Sequence, residues 1–308
     1  MNVCSFLPAA TNMIYEMGLE RYLNGVTFEC PSDKPKVVRT HLEGRNLSSA
    51  EIEAFVTESS NMGKSLYYVD MELLSEIAPD LVFTQDVCDV CQISTSVVQR
   101  AIGSLKKQPK VVPLIPRRLR DVYQNALTIA KELGEEEIGL DYLASVQKRV
   151  HAITDKLREH QVEPKRVMIM EWLDPIYNCG HWIPDQISLA GGVDMLSNPA
   201  GYSIVTPWEK VQQYDPEVLV IAPCGFQVER SIQEIEQLTS KPGWSELTAV
   251  KNQAVYLVDA DYFTRPSTTL VEGIELLAAL FHPQLFEIPE TCMKKVVSIS
   301  DTELSGVK

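Results

Sequence analysis

The chain has 308 residues, 45% of them hydrophobic, and a formal net charge of −14. That length is enough for two domains or one large one, each with a sizeable core, and neither Gly nor Pro is in excess. The acidic balance makes nucleic acid and anionic membrane poor partners: the densest basic cluster is only Arg117, Arg118 and Arg120, and no apolar run is long enough to span a bilayer.

In chain order, Asn2–Leu7 is an apolar run with the length of a strand, broken at Pro8-Ala9-Ala10-Thr11-Asn12. Thr11 or Asn12 is expected to cap a helix through Tyr15 and Met17, ended by Gly18. The opening has no basic region and no secretory-length apolar run. The expectation is therefore a cytoplasmic protein, or an extracytoplasmic one if a leader has been removed. Strands are expected at Gly25–Phe28 and Pro35–Arg39, and a capping box at Ser48-Ser49-Ala50-Glu51 opens a helix toward Ser59. Asp70–Ile77 reads as a short helix, Pro79–Thr84 as a buried strand, Ile93–Leu105 as a helix, Lys110–Ile115 as a strand and Leu119–Leu133 as a helix closed by Gly134. The alternation predicts an α/β fold with parallel sheets.

Glu136–His160 is the longest helical pattern. Leu143, Val146, Val150, Ile153 and Leu157 recur at three- and four-residue spacing and form one apolar stripe. At 1.5 Å per residue it would span about 37 Å, and Gly139 near its start is a tolerable propensity cost. It is either a surface helix of one large domain or a connector between two lobes. After it the pattern restarts: a strand at Arg166–Met170, a loop from Glu171 to Pro184, and a helix Asp185–Ala190 ended by Gly191-Gly192. A short helix Trp208–Gln213, a strand Pro216–Ile221, a helix Ser231–Thr239, a strand Ala254–Val258 and a last helix Thr268–Phe281 follow. The boundaries read as an N-terminal lobe 1–134, a connecting helix 135–161, a C-terminal lobe 162–288 and a peripheral or partly disordered tail 289–308. Glu72 to Phe83 and Glu209 to Val220 match as Glu, a helical turn, Pro-acid, then an apolar strand, which marks an internal duplication.

In a parallel α/β sheet, ligands bind beyond the carboxyl ends of the strands. The segments there carry Pro8 and Ala9, Phe28, Asp86, Cys88 and Cys91 in the first half. The second half supplies Trp172, His181, Trp182, Cys224, Phe226, Asp261, Tyr262, Phe263 and Arg265. These loops are rich in aromatics and poor in paired catalytic groups, which suits a broad, partly apolar ligand. The Cys88-x-x-Cys91 pair has three readings: inert thiols, part of a metal site, or a ligand-contact or redox loop. One pair cannot fill a tetrahedral zinc shell, and Cys179, His181 and Cys224 could complete one only if the lobes close. Seven Cys, an odd number with no framework spacing, favour free thiols. His181 is either a structural hydrogen-bonding residue or one that faces a ligand or coordinates cobalt. Glu72 and Glu209 are either solvated helix-start carboxylates or a pair of docking charges. No nucleophile elbow and no phosphate-cradling glycine loop is present.

Ser5-Phe6-Leu7-Pro8-Ala9-Ala10-Thr11-Asn12, Ala78-Pro79-Asp80-Leu81-Val82, Leu189-Ala190-Gly191-Gly192 and Asp261-Tyr262-Phe263-Thr264-Arg265-Pro266 occur in order over residues 3 to 283. This series resembles the cobalamin-binding proteins of ABC importers. The resemblance implies the helical-backbone class of substrate-binding proteins: two Rossmann-like lobes bridged by one long helix. It also implies a corrinoid, haem or metal chelate in the cleft, with Tyr262 and Phe263 among its lining, and an ABC permease as partner docked by Glu72 and Glu209. The cysteine-bearing loops depart from the family's best-known members, so a cytoplasmic corrinoid carrier stays open. An enzyme of chelatase type using His181 and Asp86 as acid–base groups is the alternative, and a CxxC metal or redox module is a third.

Overall fold

The computed structural model describes residues 1–45, 47, 49–62, 65–85, 95–267 and 269–299. The chain divides into two compact units, one of Met1–Pro116 with Arg120–Leu143, the other of Arg117–Leu119 with Ala144–Lys308.

In the first unit the strands are β1 (Val3–Ser5), β2 (Leu23–Thr27), β3 (Lys36–Thr40), β4 (Tyr67–Val69), β5 (Leu81–Gln85) and β6 (Lys110–Leu114). They form one sheet ordered β4-β3-β2-β1-β5-β6, parallel except for the antiparallel edge strand β4. The helices are α1 (Pro8–Glu16), α2 (Ser49–Asn61), α3 (Met71–Ile77), α4 (Thr95–Gly103) and α5 (Leu119–Glu132). Cys4, Phe6, Val37, Val38, Leu74, Val82, Val98 and Ile102 pack into one core cluster. Helix α1 begins three residues before the expected cap. Leu7 stays extended, Pro8 occupies the first helical position, where a missing N–H costs nothing, and Thr11 Oγ1 donates back to Leu7 O.

Helix α6 (Glu136–Glu159) starts in the first unit and ends in the second. Val146, Val150, Ile153 and Leu157 of its stripe are buried. The second unit then adds β7 (Lys165–Met170), β8 (Trp172–Leu173), β9 (Ile176–Tyr177), β10 (Gly180–His181), α7 (Ile183–Leu189), β11 (Gly192–Val193), β12 (Asn198–Pro199), α8 (Trp208–Tyr214) and β13 (Val218–Ile221). It is completed by α9 (Val228–Glu234), α10 (Glu236–Thr239), α11 (Thr248–Lys251), β14 (Val255–Val258), α12 (Asp261–Thr264), α13 (Thr269–Phe281) and β15 (Val296–Ser298). The main sheet runs β11-β7-β13-β14-β15, parallel up to the antiparallel β15. Its core gathers Met168, Met170, Leu219, Ile221, Leu238, Trp244, Val255 and Leu257.

Both units share one strand plan: β2-β1-β5-β6 corresponds to β11-β7-β13-β14. The repeat is visible residue by residue. Helices α3 and α8 each end on a left-handed residue, Ala78 (φ 45°) and Asp215 (φ 48°), before a buried proline and the central strand.

Four expectations need correction. The stretch Glu171–Pro184 is not a plain loop; β8 and β9 form a hairpin, and β10 pairs with β12. The helix placed at Ser231–Thr239 begins at Val228 and breaks at Ile235 into two. Asp261–Thr264 is a short helix rather than an open loop. After Pro289, residues 290–299 are integrated: Cys292 is buried and β15 extends the sheet, because an apolar Val296-Val297 pair can cover the edge of β14.

Candidate functional site

The carboxyl ends of β7 and β13 hold most of the chemistry of the second unit. Trp172 follows β7, and its half-buried ring meets Phe226, after β13, edge to face at 5.2 Å. The Arg230 guanidinium lies 3.8 Å from the centroid of the Phe226 ring and is itself paired with Glu234. Cys224 is half-buried in the turn between them, and its N–H donates to Glu171 O at 2.9 Å. The indole N–H of Trp172 is buried with no hydrogen-bond acceptor among the described residues.

Glu171 fastens the next layer. Its carboxylate accepts from Gly180 N at 3.0 Å and from Ser203 Oγ at 2.7 Å, tying the β10 segment to the 201–203 turn. Gly180 must be glycine here, since a Cβ would stand 2.6 Å from Gly201 O and 2.7 Å from Ser203 N. His181 N donates to Gly201 O, and Ala200 N donates to His181 O. These two bonds hold His181 in the left-handed region, φ 52°, where a non-glycine residue is strained. Its ring lies 5.3 Å from Trp182 and 5.4 Å, edge to face, from Tyr202. Nε2 of His181 is buried and makes no hydrogen bond among the described residues. Burial, and secondarily the charge of Arg117, holds the imidazole pKa below its ordinary value, so the ring is neutral at pH 7. Arg118, next to Arg117, pairs with Asp185 at the start of α7.

Asp194 is half-buried, accepting from Leu196 N at 2.9 Å and Ile169 N at 3.3 Å, with the Cys179 thiol at 3.6 Å from Oδ2. Burial raises the Asp194 pKa to about 6, and burial with two neighbouring carboxylates pushes the Cys179 thiol well up.

The structure separates the residues predicted for the site. Trp172, Cys224 and Phe226 come together, and His181 and Trp182 form a second group with Tyr202. Tyr262 and Phe263 are buried among the described residues, 2% and 0% exposed. Coiling of Asp261–Thr264 turns both rings into the unit, where Tyr262 donates to Thr291 O and the backbone oxygens of both residues accept from Gln186 and Trp182. Trp182 is correspondingly a buried structural residue. Asp261 and Arg265 neutralise each other at 3.1 Å. Cys179, His181 and Cys224 do not gather, and among the described residues no group of three His, Cys, Asp or Glu could hold a metal ion. The five described cysteines are free thiols.

In the first unit Pro8 and Ala9 open α1 beyond β1 and are buried, while Phe28 stacks on Tyr67 at 6.3 Å. Thr84 Oγ1, near the carboxyl end of β5, is buried without a hydrogen-bond partner among the described residues. Asp86, Cys88 and Cys91 lie outside the described residues. Sequence reasoning missed Glu171, Tyr202, Ser203 and Arg230. The turn residues Gly201-Tyr202-Ser203 were the only available signal, and nothing local ties them to Glu171.

Glu72 and Glu209 each occupy the second position of the short helix before the Pro-acid strand, α3 in one unit and α8 in the other. Both are exposed, and among the described residues neither has a hydrogen bond or ion pair. Two positions later, Leu74 and Val211 are both fully buried.

The family described as "Periplasmic binding protein" matches residues 64–262. An uncharacterized ABC transporter substrate-binding lipoprotein of Bacillus subtilis is 22% identical over 295 residues, covering 92% of this chain and 81% of that protein. Among solved structures, the periplasmic vitamin B12 binding protein of Vibrio cholerae superposes with a TM-score of 0.62 at 18% identity, over 92% of this chain and 96% of that one. A periplasmic heme binding protein of Pseudomonas aeruginosa superposes with a TM-score of 0.66 at 15% identity, over 92% and 93%.

Proposed function

The chain belongs to the periplasmic binding protein family, and from that membership we propose that it is the substrate-binding component of an ABC importer whose ligand is cobalamin or a related corrinoid. One observation carries the ligand class. Two buried nitrogens of the second unit, Trp172 Nε1 and His181 Nε2, have no hydrogen-bond partner among the described residues and stand beside the Phe226 and Tyr202 rings. An unpartnered buried polar group costs about 1–3 kcal/mol. A metal macrocycle, with apolar faces, polar side groups and an axial position, would offset that cost. Trp172, His181, Cys224 and Phe226 are the ligand-facing residues of this unit in the proposal. Vitamin B12 and heme, named for two proteins of the same fold, are both such macrocycles. The family resemblance in the ordered motifs favours the corrinoid.

Glu72 and Glu209 are proposed as the permease-docking pair. Their matched helix position, exposure and freedom from ion pairs support this, since a surface carboxylate without a partner adds little stability and can steer a basic one.

The test is retention. Mixed with hydroxocobalamin, the full chain is expected to co-elute with it on gel filtration and to shift its visible spectrum. Retention of hemin or of a ferric hydroxamate in parallel runs, with no retention of hydroxocobalamin, overturns the corrinoid assignment.

A further inference from the structure

We propose that Nε2 of His181 is an axial ligand to the metal of the bound chelate, so that the preferred cargo is one whose metal carries an exchangeable axial water. This rests on the corrinoid reading above and deepens it. His181 is held in a strained left-handed conformation by two backbone hydrogen bonds to the 200–201 turn. Gly180, before it, sits too close to 201–203 for any side chain, and Glu171 clamps the same turn. Three separate devices thus fix where the imidazole stands, although among the described residues its own ring makes no hydrogen bond through Nε2. Strain of this kind persists where the surroundings over-determine it, and it clusters at ligand sites.

The surroundings suit coordination more than hydrogen bonding. Of the two flanking rings, Trp182 is fixed, its Nε1 donating to Phe263 O. Tyr202 is 60% exposed and among the described residues its hydroxyl has no hydrogen bond, so it is the side chain that turns aside for a ligand. Ile204 and Val205 beside it in sequence are about half exposed (53% and 50%), supplying apolar surface for the face of a macrocycle. The step is a ligand exchange: the Nε2 lone pair forms a bond to the metal and a bound water leaves. No electron is transferred.

The experiment uses cob(II)inamide, a corrinoid that has no tethered base of its own, bound to the full chain and read by electron paramagnetic resonance. A nitrogen on the axial position splits each cobalt line into a triplet. The expected result is a triplet for the wild type, singlets for His181→Gly, and the triplet restored when imidazole is added to His181→Gly. Glycine accepts the left-handed backbone, so this variant keeps the fold, checked by its unfolding midpoint. Singlets from a wild-type protein that retains cob(II)inamide overturn the coordination proposal while leaving the corrinoid reading standing. Failure of the wild type to retain any corrinoid overturns both.

Discussion

Asp194 is where the fold spends stability on an ionisable group. Two backbone N–H groups stabilise its carboxylate, yet burial outweighs them and lifts its pKa from 3.8 to about 6. The sign follows from linkage. A carboxyl bound more tightly to its proton in the folded state contributes stability at low pH. That contribution is lost as pH rises from the unfolded value near 3.8 to the folded value near 6, and stays lost above it. Comparing wild type with Asp194→Asn in urea unfolding, we expect the wild type's relative stability to fall by about 1–3 kcal/mol between about pH 4 and pH 7. A flat difference over that range would contradict the assignment. Legibility at this scale was mixed. Trp172, His181, Cys224 and Phe226 could be named because they follow strands of a parallel sheet, where such loops end. Tyr262 and Phe263 stand at the same kind of position, but a four-residue helix turned them inward. No periodicity in so short a segment distinguishes the two outcomes.

At the element scale, Gly139 shows how packing reverses a propensity argument. Read alone it is a weak residue in a long helix. In the fold a Cβ there would lie 2.6 Å from Ala130 Cβ and 3.3 Å from Leu127 Cδ1, so glycine allows α5 and α6 to close on each other. Gly139→Ala gains about 1 kcal/mol of helix propensity and loses about 1–3 kcal/mol to overpacking. The net expectation is a lower unfolding midpoint, measured by thermal denaturation; a higher midpoint would show that the interface gives way freely. The strands and the long helices were readable because their apolar periods are long and unbroken. Helix starts set by distant partners were not: the Val228 N–H at the head of α9 is accepted by Asp259 Oδ1, thirty-one residues on. Nor was β4 expected, because an edge strand of three residues has no alternation to read.

For the whole molecule the duplication is the organising fact. Two units repeat one strand order, and each presents a carboxylate from the same turn of the same helix. Because both are exposed and unpaired among the described residues, Glu72→Ala with Glu209→Ala should change stability by less than about 0.5 kcal/mol and leave ligand affinity unaltered. Co-purification with the cognate permease should be lost; unfolding of the double variant would instead make these carboxylates structural. The ligand remains the centre of the account, and calorimetric titration of the full chain with hydroxocobalamin addresses it most directly. The account predicts saturable binding of one corrinoid per chain, weakened at least about tenfold in Trp172→Ala, a loss of about 1.4 kcal/mol. Absence of heat and of saturation with hydroxocobalamin, from a chain that saturates with hemin or a ferric hydroxamate, would contradict it.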